Sequence, residues 1–288
     1  MEKRFSYCKF TINEEKQIIA DYQNGMSMAA VGRKWQCDPS TVKNILKAYG
    51  LSGRTLSQAR RQYLGYTIKE DVFQKIDTPE AAYWLGVMYS DGYITKSQYT
   101  NYFGISISKK DEEWLEKFKK FLNYNGEIKT YNVGKSGYKP GAEYVRLLVG
   151  NNKIVTDLKK LGVIEHKSKL LHKIPDIKFV DDFIRGYIDG DGSLRKDYPC
   201  FQICGTEKFL QSIADYLQID YRLFPDKSIY SLRYNTKQSE YLEKRLYSNA
   251  KVYLQRKYEI AKRSFNSPLT LEDVRIKNSE YQGKPLEP

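Results

Sequence analysis

Two aspartates offer the most definite chemistry in this chain. Asp91 and Asp191 lie in stretches that repeat one pattern, WLGVMYSDG (Trp84 to Gly92) and IRGYIDGDG (Ile184 to Gly192): a glycine, an aspartate five residues later, and a second glycine directly after it. Upstream of each acid small side chains recur at helical spacing, Ala82, Gly86 and Ser90 in the first copy and Gly186 and Gly190 in the second, which leaves one stripe of each helix nearly bare. Bare stripes let two helix backbones pack closely. Such contacts are best documented in membranes, but no stretch here is apolar over the roughly 18 residues that a span needs, and no membrane partner is expected.

Both acids then fall where their helices end, with Gly92 and Gly192 in the place of C-terminal caps. A helix C-terminus carries roughly half a negative charge, so two such ends side by side, each with a carboxylate, repel. A cation must occupy the gap. Oxygen donors with no Cys or His near either motif favour a hard divalent ion, Mg2+, with Mn2+ able to substitute. The expected metal set is Asp91 and Asp191 with the residues just before them, Ser90 and Gly190. Turn capping alone accounts for neither the duplication nor the placement.

The elements that must hold these acids also repeat. Thr78 and Pro79 supply cap and first-turn signals for the first motif helix. Tyr93 to Ile107 alternates as a hairpin, and Trp114, Leu115, Phe118, Phe121 and Leu122 then mark an amphipathic helix. The same spacing returns as Phe209, Leu210, Ile213, Tyr216 and Leu217. Asp91 precedes its helix by 23 residues and Asp191 by 18, a difference that a hairpin absorbs. Each half adds a second strand pair and a helix, through Tyr144 to Val149 and through Tyr230 to Tyr234.

The two motif stretches resemble the signature of the LAGLIDADG homing endonucleases in both halves. The second copy is the closer match, because Tyr89 stands in the first where Asp189 stands in the second. The resemblance implies an α+β chain of two pseudo-symmetric αββαββα halves, with Gly86 and Gly186 at the helix interface and saddle-shaped antiparallel sheets straddling double-stranded DNA. It implies a metal-dependent, site-specific double-strand DNA endonuclease that hydrolyses one phosphodiester per strand of a long asymmetric target. Cuts across the minor groove would leave short 3′ overhangs. The family often carries a water-positioning glutamine where this chain has Lys109 and Gly205, and Lys153 or Lys237 could supply basic groups. Lys167, Ser168 and Pro175 also look like the family.

Outward side chains on such sheets can follow the major groove. Candidates in the first half are Lys96, Gln98, Asn101 and Arg146; in the second they are Arg195, Lys196, Gln202, Arg233 and Asn235. Two further readings use the same fold: an RNA maturase that assists group I intron splicing, and a non-catalytic DNA-binding regulator. An intein is not expected, since the sequence shows no splicing domain with its terminal Cys or Ser and His-Asn pair.

Charge agrees with a polyanionic partner: 48 Lys plus Arg against 35 Asp plus Glu leave +13 over 288 residues. Residues 1–52 read as an all-α helix-turn-helix domain, similar to the resolvase type, with helices over Glu14 to Gln23, Met28 to Trp35 and Ser40 to Tyr49. Its last helix would offer Ser40, Thr41, Lys43, Asn44 and Lys47 to DNA. Residues 53–76 form a basic linker whose Arg54, Arg60 and Arg61 could contact DNA phosphates; the first half is 77–165, the second 166–265, and 266–288 a polar tail. Ala250 to Phe265 is expected as one basic helix. Cys8, Cys37, Cys200 and Cys204 have no zinc spacing and are expected to be reduced. The expected state is a monomer needing no protein partner, in a bacterial or phage-like cytoplasm, with an organelle matrix as the alternative.

Overall fold

A computed structural model describes residues 9–55, 58–59, 65–132, 141–165, 167, 170–227 and 229–275. The chain divides into two compact units, Met1–Thr67 and Ile68–Pro288. Arg60, Arg61, Cys8, His166 and Ser168 lie outside the described residues.

The smaller unit holds α1 (Ile12–Gln23), α2 (Met28–Lys34) and α3 (Pro39–Ala48). Each helix begins on a side-chain cap, Thr11, Ser27 and Asp38. Ile18, Val31, Val42 and Leu46 close a small core, and Gln36, in the left-handed region at φ 49°, turns the chain between α2 and α3. Arg54, expected as a phosphate contact, is occupied within this unit. Its guanidinium donates to the carbonyls of Met26 and Tyr22 and lies 4.0 Å from the centroid of the Tyr22 ring. It pins the chain leaving α3 onto the helices.

The larger unit is two copies of one plan. The first runs α4 (Pro79–Tyr89), β1 (Gly92–Lys96), β2 (Asn101–Ser108), α5 (Glu112–Phe121), β3 (Lys129–Asn132), β4 (Glu143–Gly150) and α6 (Asn152–Lys160). The second runs α7 (Val180–Asp191), β5 (Gly192–Leu194), β6 (Phe201–Gly205), α8 (Glu207–Leu217), β7 (Arg222–Asp226), β8 (Ile229–Tyr234) and α9 (Thr236–Tyr247). Each copy makes a four-stranded antiparallel sheet, ordered β1-β2-β4-β3 and β5-β6-β8-β7. The αββαββα plan expected from the sequence is the one observed.

The core faces of the sheets take Phe103, Ile105, Val145, Leu147, Phe201, Ile203 and Leu232, and the amphipathic faces of α5 and α8 cover them with Trp114, Leu115, Phe118, Phe209, Leu210 and Ile213. Each such fully buried side chain contributes about 2 kcal/mol of transfer free energy. α4 is buried all round, as a helix enclosed by two sheets must be. α4 and α7 cross with no space for side chains between them. A Cβ on Gly86 would collide with the carbonyl oxygen of Phe183, and one on Gly186 with that of Tyr83, which is the matching position of the other copy.

The boundaries depart from the expectation in three places. Residues 68–76 belong to the larger unit, because Val72 and Phe73 are buried in its core and Phe73 packs edge-on against Phe121. The basic helix starts at Gln255, not Ala250: α10 covers Gln255–Ala261, and the Leu254 N–H that would continue a helix backwards is given to the Asp189 carboxylate. The tail begins in order, with α11 at Leu271–Val274, buried Val274, and a bridge from Ile219 to Arg275. No helix among the described residues is long and apolar enough to cross a membrane.

Gly86→Val should lower the stability of the larger unit by about 3 kcal/mol or more, read as a fall in its denaturation midpoint, since backbone rather than a mobile side chain stands in the way. An unchanged midpoint would mean that the helices are not in backbone contact. Arg54→Ala should destabilise the smaller unit by about 1–2 kcal/mol, seen by calorimetry on the full chain.

Candidate active site

α4 and α7 carry Asp91 and Asp191 to one end of their shared interface. α4 stops at Tyr89 with Ser90 as its cap, and α7 runs through Asp191. The glycines after the acids are not left-handed caps. Gly192 is extended at φ −92°, ψ 165°, and both glycines open strands packed back on their helix. A Cβ on Gly92 would stand 2.6 Å from Met88 Cα, and one on Gly192 2.7 Å from the Ile188 carbonyl oxygen. Glycine serves here for space, so that each strand can leave at once from beside its acid.

The acids come together across the helix contact. A Cβ on Gly190 would lie 3.1 Å from Asp91 Oδ2, which places the Asp91 carboxylate over the backbone just before Asp191. By exposed area Asp91 is half-buried and Asp191 open, but protein crowds both carboxylates from the helix side. That burial, and then the charge of Asp191, pushes the Asp91 carboxyl up to about 6, against the pull of Lys257, Lys167 and Arg256. Burial likewise raises Asp191, against Lys167 and Lys257.

Two buried lysines complete the arrangement. Lys167 Nζ donates to the carbonyls of Ser90 (2.7 Å) and Gly92 (2.5 Å). Lys257 Nζ donates to the carbonyls of Ile188, Asp189 and Gly192, at 2.5, 2.8 and 2.7 Å. They answer the negative ends of the two helices in matching fashion. They do so through backbone oxygens, and among the described residues no hydrogen bond or ion pair reaches either carboxylate. Desolvation lowers both ammonium groups, Lys257 to about 8 with the charge of Asp189 partly offsetting the loss.

The middle position of each motif fastens the segment that brings its lysine. Tyr89 donates from its hydroxyl to the Leu161 carbonyl, ahead of Lys167. Asp189, fully enclosed, accepts from Leu254 N at 2.8 Å, Tyr247 Oη at 2.7 Å and Tyr83 Oη at 2.6 Å, and so fixes the start of α10 with Lys257 on its first turn. Tyrosine and aspartate perform one mechanical task with different atoms.

The other basic candidates do not join this arrangement. Lys109 pairs with Glu112 and approaches Thr130 Oγ1; Lys153 bonds Asp157, the Glu70 carbonyl and Gln74; Lys237 is exposed on the first turn of α9. Ser90 keeps its hydroxyl on the Gly86 and Val87 carbonyls and lends its own carbonyl to Lys167. Asn235, expected on the sheet, caps α9 by accepting from Gln238 N, and the Asn101 backbone N–H donates to Asn152 Oδ1. Lys96, Gln98, Arg195 and Lys196 are exposed around the β1–β2 and β5–β6 turns, while Arg146, Gln202 and Arg233 stand on the outer sheet faces. Ser40, Lys43, Asn44 and Lys47 are exposed on α3, and Thr41 is half-buried.

This site repeats an acid and a lysine around one helix crossing, and residues 78–162 match the family model of the LAGLIDADG-like domain. Residues 78–162 thus carry the LAGLIDADG-like domain. Its order of elements, from the motif helix through four strands to a closing helix, recurs in the second half. Among solved structures, the meganuclease I-SmaMI bound to uncleaveable DNA is similar at 14% identity, covering 65% of this chain and 90% of that chain with a TM-score of 0.41. The LAGLIDADG meganuclease I-AabMI bound to uncleaved DNA is similar at 14% identity over 58% of this chain and 82% of its own, with a TM-score of 0.39. No curated protein matches the chain.

The donors at the end of α4 and α7 fit a hard divalent cation. Every group offered is oxygen, among the described residues neither carboxylate has a hydrogen bond or ion pair, and the charge of Asp191 adds to the affinity of Asp91 for positive charge. Among the described residues no cluster of three His, Cys, Asp or Glu side chains exists, so backbone oxygens and water would complete any coordination.

Without metal, a carboxyl held at about 6 in the fold against 3.8 free makes the native state bind the proton more tightly. That stability is present below about pH 4 and lost as pH rises to 6. Asp91→Asn should therefore be the more stable protein above pH 6, by on the order of 1–3 kcal/mol, and the gap should close below pH 4 or on adding Mg2+. Parallel melting curves across the pH range would refute this.

Proposed function

We propose that the chain is a site-specific double-strand DNA endonuclease that depends on a divalent cation, Mg2+ first. One observation carries this reading: two carboxylates without a hydrogen bond or ion pair among the described residues, at the ends of two touching helices, each beside a buried lysine, in a twofold repeated arrangement. Repetition matters because duplex DNA offers two antiparallel strands related by local twofold axes, and one acid per strand is what cutting both demands.

Hydrolysis forms a bond from water oxygen to phosphorus and breaks the bond to the 3′ oxygen, which leaves with a proton. A divalent cation held by Asp91, Asp191 and adjoining backbone oxygens would neutralise phosphate charge and acidify the attacking water. Asp91 and Asp191 orient that water and exclude competing anions. Lys167 and Lys257 fix positive charge beside each carboxylate in a low-dielectric setting, where it acts more strongly than a surface lysine on charge developing at phosphorus. Among the described residues Lys167 spends two N–H donors on carbonyls and Lys257 three. The exposed face of α3, with Ser40, Lys43, Asn44 and Lys47, adds contacts to flanking DNA. A monomer suffices, because both acids belong to one chain.

Incubation with a plasmid bearing the uninterrupted form of the chain's host gene should yield linear product in Mg2+ and none in chelator. Asp91→Asn and Asp191→Asn should each abolish double-strand cutting and leave binding within a few fold. Lys167→Met and Lys257→Met should slow cutting by about 10²-fold or more, whereas Lys153→Met and Lys237→Met should cut normally. No cleavage of any substrate, with accelerated intron splicing instead, would replace this reading with the maturase one.

A further inference from the structure

On a central strand of each sheet an outward arginine lies over an aromatic ring, and these two, Arg146 and Arg233, do not occupy matching places. On β4 the core takes Val145, Leu147 and Val149, so Arg146 faces outward. Its guanidinium lies 4.4 Å from the Tyr131 ring centroid and donates to the Tyr131 hydroxyl, with Tyr93 as a further hydrogen-bond partner. Tyr131 is stacked in turn on Tyr144, centroids 5.2 Å apart and 13° from parallel. On β8 Arg233 faces outward between buried Leu232 and Tyr234. Its guanidinium lies 4.9 Å from the Phe224 centroid, and its Nε donates to Ser231 Oγ at 3.2 Å. An arginine fork held flat against a ring has already given up much of the rotamer freedom that binding would otherwise remove.

Strand register places the two arginines. Gly92 faces Ile105 and Gly192 faces Ile203, so those pairs match between halves. Ile105 also faces Leu147, and Ile203 faces Leu232, which makes Leu147 and Leu232 equivalent. Arg146 precedes the matched leucine and Arg233 follows it. The place equivalent to Arg146 is Ser231, and the place equivalent to Arg233 is Leu148; neither side chain can present a fork. β1 runs outward from the aspartate at Gly92, and Arg146 faces Ser106 on the aspartate side of Ile105, whereas Arg233 faces Gln202 on the outer side of Ile203. Two residues along a strand cover about 7 Å, and base pairs rise about 3.4 Å each.

We propose that Arg146 and Arg233 each read one guanine through its O6 and N7 edge, and that the Arg233 guanine lies about two base pairs farther from the cleavage centre than the Arg146 guanine. This rests on the nuclease reading above and adds to it the specific asymmetry of the target.

Selection of bound duplexes from a library randomised on both sides of the centre tests it with the full chain. The unmodified protein should select one strong guanine in each half, at distances differing by about two base pairs. Arg146→Lys, which keeps charge and loses the fork, should lower the preference at the inner guanine about tenfold and leave the outer one. Arg233→Lys should do the reverse, and Tyr131→Phe should blur the inner position only. Uniformly weaker binding with unchanged preferences would make both arginines phosphate contacts and overturn the proposal alone, as would loss at equal distances from the centre. Failure of the unmodified protein to select any sequence would overturn the nuclease reading and this proposal together.

Discussion

Backbone contact between α4 and α7 at Gly86 and Gly186 is the constraint on which the rest depends. Each glycine meets the carbonyl that stands three residues upstream of the other, so the contact is reciprocal and admits no larger residue on either side. From that fixed crossing both helices run to a common end, and their last residues cannot avoid each other. The arrangement concentrates two helix C-termini and two carboxylates in one cleft. A fold that tolerates this must supply positive charge, and it does so at two levels. Lys167 and Lys257 take the backbone oxygens at the helix ends, and the carboxylates are left with charge to offer something that arrives from solution.

That division of labour separates stability from chemistry. If the lysines had paired with the aspartates directly, the site would be a satisfied pair of buried salt bridges with no reason to bind a cation. Because they bond carbonyls, they relieve the helix dipoles and still lower the cost of the carboxylates at a distance. The middle residues of the motifs, Tyr89 and Asp189, then matter for holding the two lysine-bearing segments in place. On the proposed function, symmetry is kept where both strands of a duplex need the same treatment and dropped where sequence must be told apart, as proposed for Arg146 and Arg233.

Much of this was legible in the residues. The recurrence of glycine, aspartate and glycine located both acids, and the spacing of Trp114, Leu115 and Phe118 against Phe209, Leu210 and Ile213 revealed the second copy of the covering helix. Lys167 stood out in the sequence only as a family-like position and Lys257 only as part of a basic helix; neither was legible as a site residue. They stand 75 residues from Gly92 and 65 from Gly192, in a chain whose described basic residues are mostly exposed, and burial is what sets them apart in the structure. Lys109, Lys153 and Lys237 were nearer the strand ends, but Lys109 and Lys153 are held by other side chains and carbonyls and Lys237 is exposed on α9. The helix expected from Ala250 was overextended for a related reason: a tertiary hydrogen bond from Leu254 to a buried aspartate outweighs local propensity. Val72 and Phe73 escaped notice because two apolar residues among charged ones carry no period.

The central claim is that the paired aspartates hold a cation which the lysines leave room for. Anomalous scattering from crystals of the protein equilibrated with Mn2+ measures this directly. The account predicts a peak at coordination distance from carboxylate oxygens of both Asp91 and Asp191, with Lys167 and Lys257 still on the backbone carbonyls. Manganese bound elsewhere, or lysine ammonium groups moved onto the two carboxylates with no peak between them, would contradict it.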